Sequence, residues 1–333
     1  MPLDLLVPDL LLAADAPAPF LAQRVPGLEK WLARADVRTE AGASATSWLG
    51  AAYGLAAPLP VAAISRAGEG AEADGEWMRA DPVHLRIDHD YLKLHDASVL
   101  GVRREEADAL LAALQEHFRA DGLELHAAAP DRWYVRAIGG GLPKTTPLED
   151  ALGRDVFGLL PHNTAINWRS AMTEAQMVMG AHEVNTRREA QGELAINSVW
   201  FWGEGSLPAR LPRPYSLVHA ADPFARGLGA RSGAEVRAVP ASITEVDLVA
   251  PGDSALVVIG DLTPALRRGD APAWQAAATT LDERWFSGLG AAIERFQRVR
   301  VILPSARQTR IATLTPAAKW RWFRARKPLA THA

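Results

Sequence analysis

Two runs of nearly uninterrupted apolar residues mark buried strands of the parallel kind. One is Leu3-Asp4-Leu5-Leu6-Val7-Pro8 and the other, clearer, is Ser254 to Gly260, SALVVIG. Each leads to an aspartate, Asp9 and Asp261, where open α/β sheets often set polar site residues. Asp9 equally suits a cap for the segment that follows it. Between these runs the pattern changes period. Val83 to Ile87 alternates as a strand and Tyr91 to Leu94 is a second extended piece. Arg103 to Arg119 carries Leu110, Leu111, Leu114 and Phe118 at helical spacing, with Glu105 and Glu106 in its first turn and Asp121-Gly122 after it. Leu123 to Ala127 and Arg132 to Ile138 read as strands joined at Pro130-Asp131.

Elsewhere the pattern predicts helices over 28–35, 46–53, 149–152, 164–180, 222–228 and 273–287, the last continuing over 291–295. It predicts short strands over 61–65 and 216–220, a mixed strand and loop over 245–249, and a last strand over 299–303. Gly68 to Gly75 reads as a flexible loop, and Gly139-Gly140-Gly141 as a linker lacking the spacing of a phosphate loop. The basic aromatic stretch from Lys319 to Lys327 reads as a helix whose Trp and Phe side chains dock while its Arg side chains stay wet. The functional alternative for it is binding to nucleic acid or to an anionic surface. These elements give an α/β chain. Its core is formed by 1–80 and 149–333, with a small α+β insertion at 81–148.

The densest juxtaposition of polar and apolar groups runs from Thr173 to Pro208. Glu174, Met177, Val178 and Ala181 fall at helical spacing; His182, Glu183, Asn185, Arg187 and Arg188 follow; Leu194 to Trp202 reads as a strand. Alternation sets Ile196, Ser198, Trp200 and Trp202 on one face and Asn197, Val199 and Phe201 on the other. Gly203-Glu204-Gly205-Ser206 is expected to end the strand in a loop whose N–H groups suit an anion, or in a plain turn. The candidate ligand-binding set is Glu174, His182, Asn185, Arg188, Asn197, Trp200, Trp202, Gly203 and Gly205. Arg188 would supply charge, and Asn185 and Asn197 would orient an anionic ligand.

With 333 residues, 48% hydrophobic, 23% charged and net charge −3, the chain has an ordinary globular balance that gives no overall reason to expect nucleic acid. The absence of cysteine excludes disulfides and thiolate sites. Leu3 to Ala14 contains Asp4 and Asp9 and lacks a basic flank, so no signal peptide is expected; no window approaches the ~20 apolar residues of a membrane span. A cytoplasmic location without a membrane partner is expected. His84, His89 and His95 do not have the spacing of a zinc motif, and Asp88, Asp90 and Asp96 read as solvated loop acids.

INSVWFWGEGSLP, preceded by EAQMVMGAHEVNTRREAQG, resembles the RpfE-like bacterial regulatory family, whose members are phosphoglycerate-mutase-like. The resemblance extends to DPVHLRIDHDYLKL, REEADALLAALQEHF, DRWYVR and the tryptophan-rich tail. The AIN…WFWGEG segment is also similar to a signature of the archaeal-type cofactor-independent phosphoglycerate mutases. That likeness implies an alkaline-phosphatase-like core with a small inserted domain. It implies two divalent metals held by Asp and His residues, and a serine that carries the phosphoryl group. The chain departs from this pattern. An Asp-Gly pair is implied after the first strand and Asp9-Leu10 stands there; an Asp-His pair is implied after a late strand and Asp261-Leu262 stands there. Ser44 and Ser47 lie in the region of the nucleophile without a recognisable motif. The expectation is therefore a degenerate mutase-like protein with a regulatory or ligand-binding role, no metal and no cofactor. Its expected partners are a small anionic or phosphorylated ligand and a protein. The alternatives are an active phosphomutase or phosphohydrolase using Asp9, Asp261, His182 and His219, and an interaction protein working through the aromatic tail.

Overall fold

A computed structural model of the chain describes every residue except Met1, Ala14, His89, Asp90, Leu248, Val249, Pro251 and Ala333, and the side chain of Asp88. His89, Asp90 and the end of the 245–249 element, all named above, thus lie outside the described residues. Twelve strands form among those described. In chain order they are β1 (Pro2–Leu6), β2 (Asp36–Ala41), β3 (Glu76–Asp88), β4 (Tyr91–His95), β5 (Leu123–Ala129), β6 (Arg132–Ala137), β7 (Ser198–Ser206), β8 (Leu217–His219), β9 (Glu235–Arg237), β10 (Ala255–Val258), β11 (Arg298–Leu303) and β12 (Gln308–Leu314). The chain divides into two compact units, Ala57–Ala209 and Met1–Ala56 with Arg210–Ala333.

The discontinuous unit is built on a seven-stranded sheet, β2-β12-β11-β1-β10-β8-β9. From β11 to β9 every pairing is parallel, and β12 and β2 add antiparallel pairings. Helices flank this mostly parallel sheet, so the fold class is mixed α/β. β1 lies near the middle, with Leu3, Leu5 and Leu6 fully buried, which is why it reads as an apolar run rather than an alternation. Asp4 interrupts that run. It stands in register with Arg300 of β11, whose guanidinium takes both carboxylate oxygens, the Nε bond being 2.7 Å. The Tyr215 hydroxyl donates to Oδ2 at 2.6 Å. Burial, with Asp4 beside it, raises the Tyr215 pKa above the usual phenol value.

Three readings of the pattern are corrected in this unit and its neighbour. β2 and β12 were not predicted: β2 is exposed at all six positions and carries no apolar face, whereas β12 buries Thr309, Ile311, Ala312 and Leu314 without a regular alternation. Residues 61–65 form part of a helix, Val61–Gly68, in which Val61, Ile64 and Ser65 are buried at helical spacing. The tail is a short 3-10 turn, Pro316–Trp320, followed by irregular chain. Its rings do not dock: Trp320, Trp322 and Phe323 are each more than 70% exposed.

The second unit has a five-stranded antiparallel sheet in the order β4-β3-β6-β5, with β7 also on β3. The expected limits at 81 and 148 cut through β3 and leave out β7. The compact unit is wider because β7 pairs with β3 from Glu76 to Val83. On one face of this sheet guanidinium groups and aromatic rings alternate. Arg136 lies 5.3 Å from the Trp77 ring and Arg66 3.7 Å from it; Arg66 also reaches Tyr134 at 5.4 Å. Arg79 lies 5.2 Å from both Tyr134 and Trp202. Direct cross-strand partnership makes this stack, since Trp77 opposes Arg136, and Arg79 opposes Tyr134 on one side and Trp202 on the other. The stack ends on a buried acid. Asp81 Oδ1 receives Arg79 Nε and Nη2 at 3.0 and 2.7 Å, and Oδ2 receives the Trp202 indole N–H at 2.7 Å. Burial pushes the Asp81 carboxyl up, while Arg79 and the Trp202 indole oppose that shift.

Removing Arg79 strands Asp81 in an apolar wall. Arg79→Ala is expected to cost about 3–5 kcal/mol in urea unfolding, the scale for breaking a buried pair. Arg79→Ala together with Asp81→Ala should recover part of that loss, whereas equal losses in the single and double variants would show that the pair is not the cause.

Candidate functional site

The polar side chains of the Thr173–Pro208 stretch are committed to holding the chain together. Asn185, 1% exposed, donates from Nδ2 to the carbonyls of Met179 and Ile196 at 2.7 and 2.9 Å, and its Oδ1 accepts from the Ile196 N–H at 2.7 Å. Arg188, also 1% exposed, donates to Leu194 and Leu100 carbonyls at 2.7 and 2.6 Å and to Glu106 at 2.8 Å. Glu106 in turn accepts from Arg103, and Arg103 holds Glu193 through two bonds of 2.9 Å. Neither residue can orient a ligand as expected without leaving buried donors unmatched. His182 caps the helix Glu183–Ala190, its Nδ1 accepting from Val184 N–H. Glu174 pairs elsewhere, with His117 at 2.9 Å and Ser170 at 2.8 Å, and these bonds hold its carboxyl below the usual range.

Asn197 mimics a backbone unit. Its Oδ1 accepts from Leu85 N–H at 2.8 Å and its Nδ2 donates to Leu85 O at 2.9 Å. Trp200 donates to Thr146 O at 3.0 Å. Gly203 and Gly205 are not in a loop at a strand end; both lie within β7. A Cβ on Gly203 would stand 2.9 Å from Val61 Cβ, and one on Gly205 2.8 Å from Pro60 Cβ. These glycines let the strand run against the start of the helix Val61–Gly68.

In the other unit the carboxyl ends of the parallel strands bring up Asp9, Asp261 and His219. β1 and β10 run in register to Leu6 and Val258, and the ladder continues with Ile259 N–H donating to Leu6 O at 2.9 Å. Asp9 and Asp261 thus stand three residues beyond matched positions. Asp9 adopts a left-handed backbone, φ 61°. Its carboxylate accepts from Thr263 Oγ1 at 2.5 Å, and its carbonyl accepts the Trp274 indole N–H at 3.0 Å. Asp261 is exposed, without a hydrogen bond or ion pair among the described residues. His219 is buried inside the sheet opposite Val257. Its Nδ1–H donates to Ala238 O at 2.7 Å, and its Nε2 has no partner. Among the described residues no three His, Cys, Asp or Glu side chains converge so as to hold a metal ion. The donor set therefore does not fit a two-metal centre, which needs several oxygen and imidazole ligands around each ion.

An open groove lies in the Ala57–Ala209 unit. It is a groove of about 710 Å³ between the far end of β3, β4 and the helix Trp168–Gly180, within the usual range of ligand pockets. Its apolar lining includes Leu85, Tyr91, Phe157 and Met172, and its polar members include Arg169, Gln176 and Asn197. Ile87, Tyr91 and Phe157 are 79%, 59% and 68% exposed. The exposed Arg169 guanidinium forms no ion pair among the described residues, and its hydrogen bond there is a long 3.4 Å contact from Nε to Pro161 O. Of the sequence candidates only Asn197 reaches this groove. Sequence reasoning missed the rest, although the Val83-Leu85-Ile87 alternation predicts an apolar face. It does not say that the face is left open.

No family model matches the chain. It is similar to 2,3-bisphosphoglycerate-independent phosphoglycerate mutases. With that of Methanosarcina acetivorans it is 26% identical over 196 residues, 55% of this chain and 49% of the relative. With mutase 2 of Methanothermobacter thermautotrophicus it is 28% identical over 156 residues, 44% and 38% of the two chains. With a probable mutase of Geobacter sulfurreducens it is 26% identical over 195 residues, 56% and 49%. The chain thus spans about half the length of the curated relatives it matches. A protein of known structure from Pyrococcus horikoshii, 13% identical, aligns over 94% of this chain and 87% of its own with a TM-score of 0.50, a likeness of fold. The cofactor-independent phosphoglycerate mutase of Thermoplasma acidophilum is 17% identical and aligns over 94% and 89% with a TM-score of 0.49.

His84 reports on how the segment before β7 is held. Its Nδ1–H donates to Ala195 O at 2.8 Å, and its ring centroid lies 6.0 Å from that of His95 across the β3–β4 pair. Burial lowers its pKa, with His95 and Arg86 adding to the shift against the Ala195 bond. A histidine depressed in the folded state contributes stability present above its unfolded pKa of about 6.5 and lost as pH falls towards the folded value. Unfolding free energy should therefore decline as pH drops below neutrality, and His84→Gln should flatten that decline. An unchanged slope would remove His84 as its source.

Proposed function

We propose that this chain is a phosphoglycerate-mutase-like protein that does not perform the mutase reaction and serves as a ligand-binding, regulatory protein, the role implied by its resemblance to the RpfE-like family. An alkaline-phosphatase-like ancestry accounts for the mostly parallel sheet and the aspartates at its strand ends. The observation that carries the reading is the state of those ends. Asp9 is used to tie β1 to Thr263, His219 is buried in the sheet, and Leu10 and Leu262 follow the two aspartates. Two metals bridging a phosphoryl group supply much of such chemistry, so their loss should abolish turnover rather than slow it. Purified protein given Mn²⁺ or Mg²⁺ and 3-phosphoglycerate should form no 2-phosphoglycerate above a buffer control. Metal-dependent turnover would overturn the reading in favour of an active phosphomutase with an altered ion set.

The groove beside Asn197 is the better ligand site than the Arg188 cluster, since Arg169 forms no ion pair among the described residues and the wall is largely apolar. Its chemistry suits an elongated apolar molecule carrying one anionic group, the anion at Arg169 and the apolar body along Tyr91 and Phe157. Anilinonaphthalene sulfonate has that chemistry. It should bind saturably, and Arg169→Ala should weaken it by about tenfold, the loss of one charge-assisted contact. Equal affinity in Arg169→Ala and Phe157→Ser would place the dye, and the ligand site, elsewhere.

A further inference from the structure

The arch between Ala318 and Leu329 combines three features. First, it is fixed at both ends. Ala318 and Leu329 are buried, Arg321 donates to Asp36 at 2.6 Å and to Arg34 O at 3.1 Å, and Leu329 N–H donates to Glu29 at 3.0 Å. Second, it displays rings. Trp320, Trp322 and Phe323 are 79%, 72% and 71% exposed. Third, its charge is of one sign. Lys319 is matched by Glu294 and Arg321 by Asp36, but Arg324, Arg326 and Lys327 are exposed and form no ion pair among the described residues.

Charge along the sequence is segregated in the same sense. From Arg295 to Ala333 there are ten Lys and Arg residues and no Asp or Glu, in a chain whose net charge is −3. Three large rings left in water on a pinned loop are an unfavourable arrangement for an isolated surface. An acidic bilayer answers both properties at once. Trp side chains favour the headgroup level, and Arg and Lys beside them meet anionic lipid. Single-stranded nucleic acid is the less suited occupant. The Trp322 and Phe323 rings meet edge to face, 79° apart, rather than offering parallel faces in a groove that follows a backbone.

We propose that the 319–328 arch docks this protein on the surface of bilayers rich in acidic phospholipid. No spanning segment is involved; among the described residues no helix is long and apolar enough to cross a membrane. The expectation of no membrane partner rested on the absence of a spanning window, which does not bear on rings that stand in solvent. The proposal is independent of the ligand groove and of the loss of catalysis.

The test is co-sedimentation of the full chain with phosphatidylglycerol-containing vesicles and with neutral phosphatidylcholine vesicles, alongside binding to poly(U). Binding to acidic vesicles that falls with salt is expected. Trp320→Ser with Trp322→Ser, and separately Arg326→Ser with Lys327→Ser, should each weaken it by at least about tenfold. Both pairs are exposed, so an unchanged melting temperature is expected; should the tryptophan pair misfold, the charge pair alone decides. No binding to acidic vesicles, equal binding by the charge variant, or binding to poly(U) without vesicle binding would overturn the proposal.

Discussion

A polar group taken out of water must find a partner at bonding distance, and this requirement organises both units of the chain. In one, Asp4 sits at the centre of an apolar sheet only because Arg300 and Tyr215 meet its oxygens. In the other, Asp81 is tolerated behind Arg79 and the Trp202 indole, and Arg188 behind Glu106 and two carbonyls. Each cluster would be worth little on a surface and is costly to break when buried. The result is a chain whose most conspicuous polar residues are occupied by architecture.

That constraint explains how the chemistry divides. The Asn185–Arg188 helix, the Asn197 side chain and the two glycines of β7 form a clasp. They fix a loop to a helix, extend a β-ladder and let a strand touch a helix start. At the carboxyl ends of the parallel strands no three acidic or imidazole side chains converge among the described residues. Side chains left unspent lie in the groove, with Arg169 beside Tyr91 and Phe157, and on the arch. Similarity to phosphoglycerate mutases and the arrangement of unspent groups are thus separate observations, one made on the sequence and the other on the surface.

Much of the architecture is written in the hydrophobic pattern. β1 and β10 are legible as apolar runs because parallel strands are covered on both faces, and the helix Arg104–Phe118 because its apolar residues recur at three and four. β2 has no buried position and gave no signal. Residues 61–65 carry β-branched Val61 and Ile64 yet are helical, since packing against the sheet overrides propensity. For the site, residue types were legible and their obligations were not. Asn185, Arg188 and Asn197 look the same in sequence whether they face a ligand or a carbonyl. The Arg–aromatic stack was visible in principle: Trp77-x-Arg79 and Tyr134-x-Arg136 place alternating types on one strand face. The emergence of Trp320 and Trp322 into solvent was not, because an aromatic cluster more commonly signals burial.

The edge formed by β2 carries a further consequence. Asp36, Arg38 and Glu40 alternate along it, with Arg38 bonded to Glu40 at 2.7 Å and Asp36 to Arg321. A strand arriving from another molecule would have to strip water from three ionised groups before its first amide could bond. Open-ended stacking of one copy on the next is therefore discouraged at the β2 edge of the seven-stranded sheet.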